Sequence, residues 1–306
     1  MHVHSIHSPY FRIEQVAEGV YAAIVVEGMG AWGNAGIINL GQQTLVFDTF
    51  FTPVAAQDLR QAAELLTGRA PRYVVNSHFH ADHTFGNQVF QDALLISSQQ
   101  VSTLMKTFLP RELEELNESR HYFEQGLAKS HDPRLRKDWA LLAREYQALA
   151  AAAPTLQIRY PDLTFKESLT IHGTAYTAEL ISFVGGHTPG DTVLYLPECK
   201  TLFAGDLVQV AFHPSSNRAN ISAWYRHLDH LATLTIKQLV PGHGNVGSAE
   251  HIQIQSQYWH DIQAIAQKLK QSSGLTEPVI QEPEPYQSWS SPTLFQQNVR
   301  NAMNWS

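Results

Sequence analysis

A mixed α/β fold in two similar halves is the class predicted by this 306-residue sequence. Three observations carry that prediction. Short apolar or β-branched runs, bounded by Gly, Asn, Asp or Pro, recur along the chain as strands do. Helical periodicity lies between them. Finally, histidines and aspartates collect where the apolar runs stop, which is where α/β folds gather their active-site loops.

The first half opens with strand-like runs "YAAIVVEG", "AGIINLG", "QTLVFDT", "RYVVNS" and "DALLISS". Within 52–66, Val54, Leu59, Ala62, Leu65 and Leu66 fall near one helical face. The second half repeats the pattern with "SLTIHG", "AELISFVGG", "DTVLYLP", "KTLFAGD" and "QLVPGHG". Its helical stretch, 220–234, aligns Ile221, Trp224, Leu228, Leu231 and Leu234. Residues 103–153 break the rhythm. Leu109, Leu113, Leu116, Phe123 and Leu127 make one stripe, and Leu135, Trp139, Leu142, Tyr146 and Leu149 another, with "SHDP" between them. This spacing predicts an inserted helical hairpin, either extra packing or a lid over a pocket. The organisation expected is a mobile arm over 1–14, a main domain over 15–265 and a tail over 266–306. That tail is rich in Pro and Ser and closes with an amphipathic helix "TLFQQNVRNAMNW". The helix should dock on the body or on a second copy of the chain, so a homodimer is allowed.

Composition narrows the function. Hydrophobic residues at 43% and charged residues at 16% suit a globular protein with ample core. A net charge of −7 argues against nucleic-acid and acidic-membrane partners, which need a basic face. No apolar run approaches the roughly 20 residues of a membrane-spanning helix. The start "MHVHSIHSPYF" lacks a basic segment followed by an apolar one, so a cytoplasmic protein is expected. Cys199 is the sole cysteine, which excludes an internal disulfide and cysteine-rich zinc modules. Histidine is the outlier, with 16 copies.

The histidines that matter follow strands. "NSHFHADHTFG" places His78, His80, Asp82 and His83 directly after "YVV". His187 follows "LISFVGG", Asp206 follows "TLFAG" and His243 follows "LVPG". Neutral imidazole and carboxylate are ordinary ligands for zinc, manganese and iron. The His-x-His pair can reach one ion and the Asp-His pair a second. His187 would complete the first site, His243 the second, and Asp206 could bridge them. Two ions about 3.5–4 Å apart hold and acidify a water, giving hydroxide at neutral pH. The remaining histidines carry less weight. His2, His4 and His7 belong to the arm, and His227 and His230 to a polar helical face; His213 is a candidate pocket residue because it follows Asp206 closely.

With these motifs in place, residues 15–265 resemble the metallo-β-lactamase superfamily. The resemblance implies an αββα sandwich of two mixed sheets flanked by helices, with a dinuclear site at one edge. It implies His78, His80 and His187 at the first ion, Asp82, His83 and His243 at the second, and Asp206 bridging. Asp48, closing "TLVFD", matches a family aspartate that supports the histidine loop from behind. Many antibiotic-degrading members carry Cys or Ser where this chain has Asp206. The bridging Asp instead resembles glyoxalase II and the lactonases. "VEGMGAWGNAGI" resembles the flap of open-pocket hydrolases, where Trp32 would press on an apolar part of the substrate or fold onto the body.

The resulting expectation is a metal-dependent hydrolase of an ester, thioester, lactone or amide in a small molecule. It would use two divalent ions, zinc first, with manganese or iron as alternatives. A bridging hydroxide would attack the carbonyl, Asp82 would carry a proton, and Asn217, Asn220 or Tyr225 would steady the oxyanion. One rival is a mononuclear iron dioxygenase of the persulfide-dioxygenase kind, built on His78, His187 and Asp206. β-Lactamase activity and a non-catalytic metal-binding module are further alternatives.

Overall fold

The structure, a computed structural model, describes residues 6–271 and 280–305. The first half contains β1 (Phe11–Ala17), β2 (Val20–Val25), β3 (Ala35–Asn39), β4 (Thr44–Phe47) and α1 (Pro53–Thr67). It continues with β5 (Pro71–Val75), the single turn α2 (Ala81–Thr84) and β6 (Leu94–Ser98). Three helices follow: α3 (Gln99–Glu114), α4 (Leu116–Lys129) and α5 (Pro133–Ala152). The second half comprises β7 (Leu163–Phe165), β8 (Ser168–His172), β9 (Thr177–Val184), β10 (Gly190–Leu196) and β11 (Thr201–Gly205). Then come α6 (Ile221–Ala232), β12 (Gln238–Pro241), α7 (Glu250–Gln271) and α8 (Pro292–Ala302).

Two mixed sheets result. In the first, β1 to β7 lie in chain order, antiparallel through β4 and parallel from β4 to β7. In the second the order is β12-β11-β10-β9-β8, with only the β11–β12 pair parallel. Side chains of successive strand residues point to opposite faces, and the core shows it. Val20, Ala22 and Ile24 of β2 join Leu194 and Leu196 of β10 and Phe203 of β11 between the sheets. Tyr21 and Ala23 face α1 instead, while Val193 and Tyr195 face α6 and α7. Helix, sheet, sheet, helix is therefore the layering, as the resemblance implied. Gly36 permits a close approach of the sheets, since a Cβ there would lie 2.4 Å from the Phe203 ring.

All ten apolar runs read from the sequence are strands. β1 and β7 escaped the reading because both are edge strands whose residues are largely half-buried or exposed. β1 also shortens the expected arm, since Phe11–Glu14 already pair with β2. His2 and His4 lie outside the described residues. Helix α1 starts at Thr52, whose hydroxyl accepts from Ala55 N, and ends at left-handed Gly68. Its buried face is not the expected one. Ala55, Ala56, Leu59, Ala62 and Ala63 face the sheet, while Val54 and Leu65 are exposed. Alanines let the helix sit close to the strands, and that proximity was invisible to a count of large apolar residues.

The inserted segment is three helices rather than a hairpin of two, because the chain breaks at Glu115 between α3 and α4. "SHDP" does separate α4 from α5, with Asp132 capping α5. The tail helix α8 docks on the body: Phe295, Val299 and Ala302 share the core built by α6 and α7. Part of the Pro- and Ser-rich tail lies outside the described residues. No helix among the described residues is long and apolar enough to cross a membrane.

Candidate metal centre

Four strand ends meet at one edge of the sandwich. β5 delivers His78 and the loop to His83, the β9–β10 turn delivers His187, β11 delivers Asp206 and β12 delivers His243. Two groups of side chains there could hold a metal ion: His78, His80, His187 and Asp206, and beside them Asp82, His83 and His243.

In the first group, His80 Nδ1 lies 3.0 Å from His78 Nε2 and 3.1 Å from His187 Nε2. His187 Nε2 lies 3.3 Å from Asp206 Oδ2. In the second, His243 Nε2 is 3.3 Å from Asp82 Oδ2 and 3.3 Å from Asp206 Oδ2, and His83 Nε2 is 3.3 Å from Asp206 Oδ1. Tetrahedral coordination with bonds of about 2.0–2.1 Å sets ligand atoms roughly 3.3 Å apart, so the spacing suits ions. Asp206 faces both groups, as a bridge must. Buried His83 Nε2 and Asp206 Oδ1 have no hydrogen-bond partner, a costly state unless a cation sits between them.

The electrostatics agree. Burial holds His78 and His187 below the usual imidazole range, and burial with the neighbouring His187 takes His80 down to about 3. These three are neutral, with lone pairs available. Burial opposes charge on His243 as well, but Asp206 and Asp82 overcome it and lift the ring to about 9. Likewise Asp82, Asp206 and Asp48 outweigh burial and raise His83 well above its ordinary value. Asp206 is held well below the carboxylate range because His243, His83 and His187 outweigh its burial. A pocket this rich in carboxylate demands positive charge, and ions binding there would displace the protons of His83 and His243.

Behind the ligands stands a buried scaffold. Asp48 accepts from Ser77 N at 2.7 Å and faces His83 Nδ1 at 2.9 Å. It does so from a left-handed backbone, φ 61°, a strained conformation for Asp that such sites tolerate. Ser77 Oγ lies 2.9 Å from His78 Nδ1. Asn76 and Asn87 pair side chain to side chain and hold the loop's return at His83 O. Asp191 accepts from Thr188 N and Oγ1 and fixes the turn that carries His187. Asn34 donates to Pro241 O and Gly244 O, on either side of His243, whose ring stacks on Phe212 at 4.7 Å. Gly242 leaves room for the bridge, since a Cβ there would lie 1.9 Å from Asp206 Oδ1.

A family model described as the metallo-beta-lactamase superfamily matches residues 33–243, more than two-thirds of the chain. The chain belongs to the metallo-β-lactamase superfamily. A curated relative, the metallo-beta-lactamase type 2 of Bacteroides fragilis, is 30% identical over 107 residues. That match covers 32% of this chain and 43% of the relative, so it spans less than half the relative's length. A metallo-beta-lactamase from Pontibacter korlensis is a structural neighbour with a TM-score of 0.59 and 16% identity, covering 81% of this chain and 97% of its own. At that identity it supports the fold alone.

Beside the centre this superfamily member has a cavity of about 350 Å³, whose lining includes His243 and Phe212. Trp32 lines it too, edge-on against Phe51 and Tyr146, so it packs on the body and faces the pocket together. The other expected pocket residues go elsewhere. His213 is fully buried against Tyr258, Trp289 and Phe295 with its Nε2 at 2.5 Å from Glu282, outside the cavity. Asn220 caps α6 by accepting from Ala223 N, Asn217 is exposed on its loop, and Tyr225 stacks on His260. None of the three lines this cavity, and Asn220 N donates to Gly186 O beside His187. His227 is not simply solvated; its Nε2 lies 3.1 Å from Val184 O.

Sequence reasoning missed the cavity's other walls. Leu141, Leu142 and Glu145 come from α5 and Ser288, Ser290 and Ser291 from the tail. Glu145 accepts from Gly28 N at 2.5 Å and Gly30 N at 2.7 Å, tying α5 to the β2–β3 loop. Asp138 accepts from Thr293 N and Ser291 Oγ, tying α5 to the tail. A buried acid in a helical insertion was the available signal, but its burial cannot be read from spacing.

Proposed function

We propose that the protein is a dinuclear metal-dependent hydrolase that cleaves a carbonyl-containing bond, an ester, thioester, lactone or amide, in a small molecule. One observation carries the reading: seven His and Asp side chains form two ligand groups joined by Asp206, with spacings that suit tetrahedral ions. His78, His80 and His187 would hold one ion, Asp82, His83 and His243 the other. Two divalent ions would lower the pKa of a water to near neutrality and polarise a carbonyl oxygen.

The chain's own residues do the rest. Asp48 and Ser77 keep the His83 and His78 rings turned so that their Nε2 atoms face the centre. Asp82, the most exposed side chain of the second group at 13%, would take a proton from the attacking water and pass it to the leaving group. The cavity volume, about 350 Å³, matches a small molecule. Its walls at α5 and the tail are pinned by Glu145 and Asp138, so α5 acts as a fixed wall rather than a swinging lid. The names of the two relatives make β-lactams one amide class to include among substrates. The full set of candidate ligands weighs against a non-catalytic module, while the mononuclear dioxygenase is separated from the hydrolase by metal identity and count.

Elemental analysis of protein purified without chelators or a histidine tag tests the reading. Two zinc or manganese ions per chain, with turnover of at least one lactone, thioester, ester or β-lactam, is the expected result. One iron per chain with oxygen uptake on persulfides would replace it with the dioxygenase.

A further inference from the structure

We infer that the substrate carries an anionic group, such as a carboxylate, apart from the scissile carbonyl, and that Arg12, which lines the same cavity as His243, anchors it. The inference deepens the hydrolase reading and rests on it for the scissile bond. The same cavity is lined by His243, by Arg12 of β1, and by Trp32, Leu142 and Phe212. The last three give an apolar wall for the uncharged body of a ligand. Among the described residues no other lysine or arginine lines it.

Arg12 is tied to the metal-bearing segment. Its Nη2 donates to Asn245 Oδ1 at 2.7 Å, and Asn245 stands two residues after His243. A guanidinium carries five N–H donors in a planar fork matched to a carboxylate. Nε and Nη1 have no hydrogen-bond partner among the described residues. Glu14, 3.8 Å from Nη2, is an exposed neighbour on the same strand, and exposed pairs of that length bind weakly. The cavity's acids do not compete for a ligand's place. Glu145 is engaged by the Gly28 and Gly30 amides, and Asp138 by Thr293 and Ser291. Glu27, exposed at the rim, would repel a second anionic group and so favour a single one.

The test uses the metal-loaded full-length protein with two readouts. Calorimetry compares an arylalkyl sulfonate, a poor metal ligand, with its uncharged sulfonamide. Kinetics compares a neutral aryl ester with the same ester bearing a distal carboxylate. The wild type should prefer each anionic probe by about tenfold, a modest factor because the guanidinium is half in solvent. Arg12→Gln should bring both preferences close to one, with the kinetic loss in KM, while Arg12→Lys keeps part of them. Added salt should shrink the wild-type preference. If neither ester turns over but the sulfonate preference depends on Arg12, the anchor stands and the hydrolase reading falls. A wild type without preference, or an Arg12→Gln protein that retains it, overturns the inference.

Discussion

Replacing Glu145 with Gln should change the sign of its effect on stability between pH 5 and pH 8. Glu145 is 2% exposed, and burial raises its carboxyl to about 7, despite the Gly28 and Gly30 amides that favour the ionised form. A rise from 4.5 to about 7 is worth about 3 kcal/mol at roughly 1.4 kcal/mol per unit. The folded state binds this proton more tightly than the unfolded chain does. Its stabilisation is therefore complete below about pH 4.5 and is lost as pH rises through about 7. Gln keeps one acceptor and turns an NH₂ towards the other amide, a mismatch costing about 1–3 kcal/mol at any pH. At pH 5, just above the unfolded value, the variant should be less stable by somewhat under that amount. At pH 8 relief from burying a charge offsets the mismatch, leaving it equal or slightly more stable. Urea unfolding of the chelator-treated protein at the two pH values measures both differences. Chelation matters because Asp82 also raises Glu145, and bound ions would neutralise it. If Glu145→Gln shifts stability by the same amount at both pH values, the carboxyl does not titrate in that window and the argument fails.

Other perturbations address the centre. Asp206→Ala should remove at least one ion per chain and abolish turnover while circular dichroism stays native; retention of both ions and full activity would exclude a bridging role. Gly242→Ala would set a methyl 1.9 Å from Asp206 Oδ1 and 2.8 Å from Gly205 backbone, so metal content should fall as far as in Asp206→Ala. Competition with a zinc chelator would show it. Asp48→Ala frees the His83 ring and the Ser77 amide, and zinc affinity measured the same way should drop about 10–100-fold. Metal affinity should also weaken as pH falls, steeply below about 9, where His243 gains a proton that an ion must displace. An affinity independent of pH between 6 and 9 would contradict that placement.

Much of the site was legible in sequence because its ligands are local. Four of seven sit within six residues, and each of the others follows an apolar run ended by glycine, so strand ends could be named without knowing the sheet order. Strands such as β10 and β11 were legible because burial on both faces makes a strand a continuous apolar run, while the partly buried β8 and β9 were marked by short apolar and β-branched runs bounded by glycine. What failed shared one cause. Burial of α1 through alanines, the edge strands β1 and β7, and the fate of His213 and Asn220 depend on neighbours distant in the chain. His213 seemed close to the centre by numbering, yet its backbone joins Ser290 of the tail and its ring packs in the α7–α8 core.

Sequence spacing alone was enough to name the His and Asp cluster that could hold metal, because metal ligation selects such residues and they stood at strand ends. The pocket was decided elsewhere. Its walls come from β1, α5 and the tail, segments more than 100 residues apart in the chain, and their meeting depends on contacts such as Glu145 with Gly30 and Asp138 with Thr293. Such pairings leave no periodic trace, since a buried carboxylate and an exposed one look alike until the chain has folded around them.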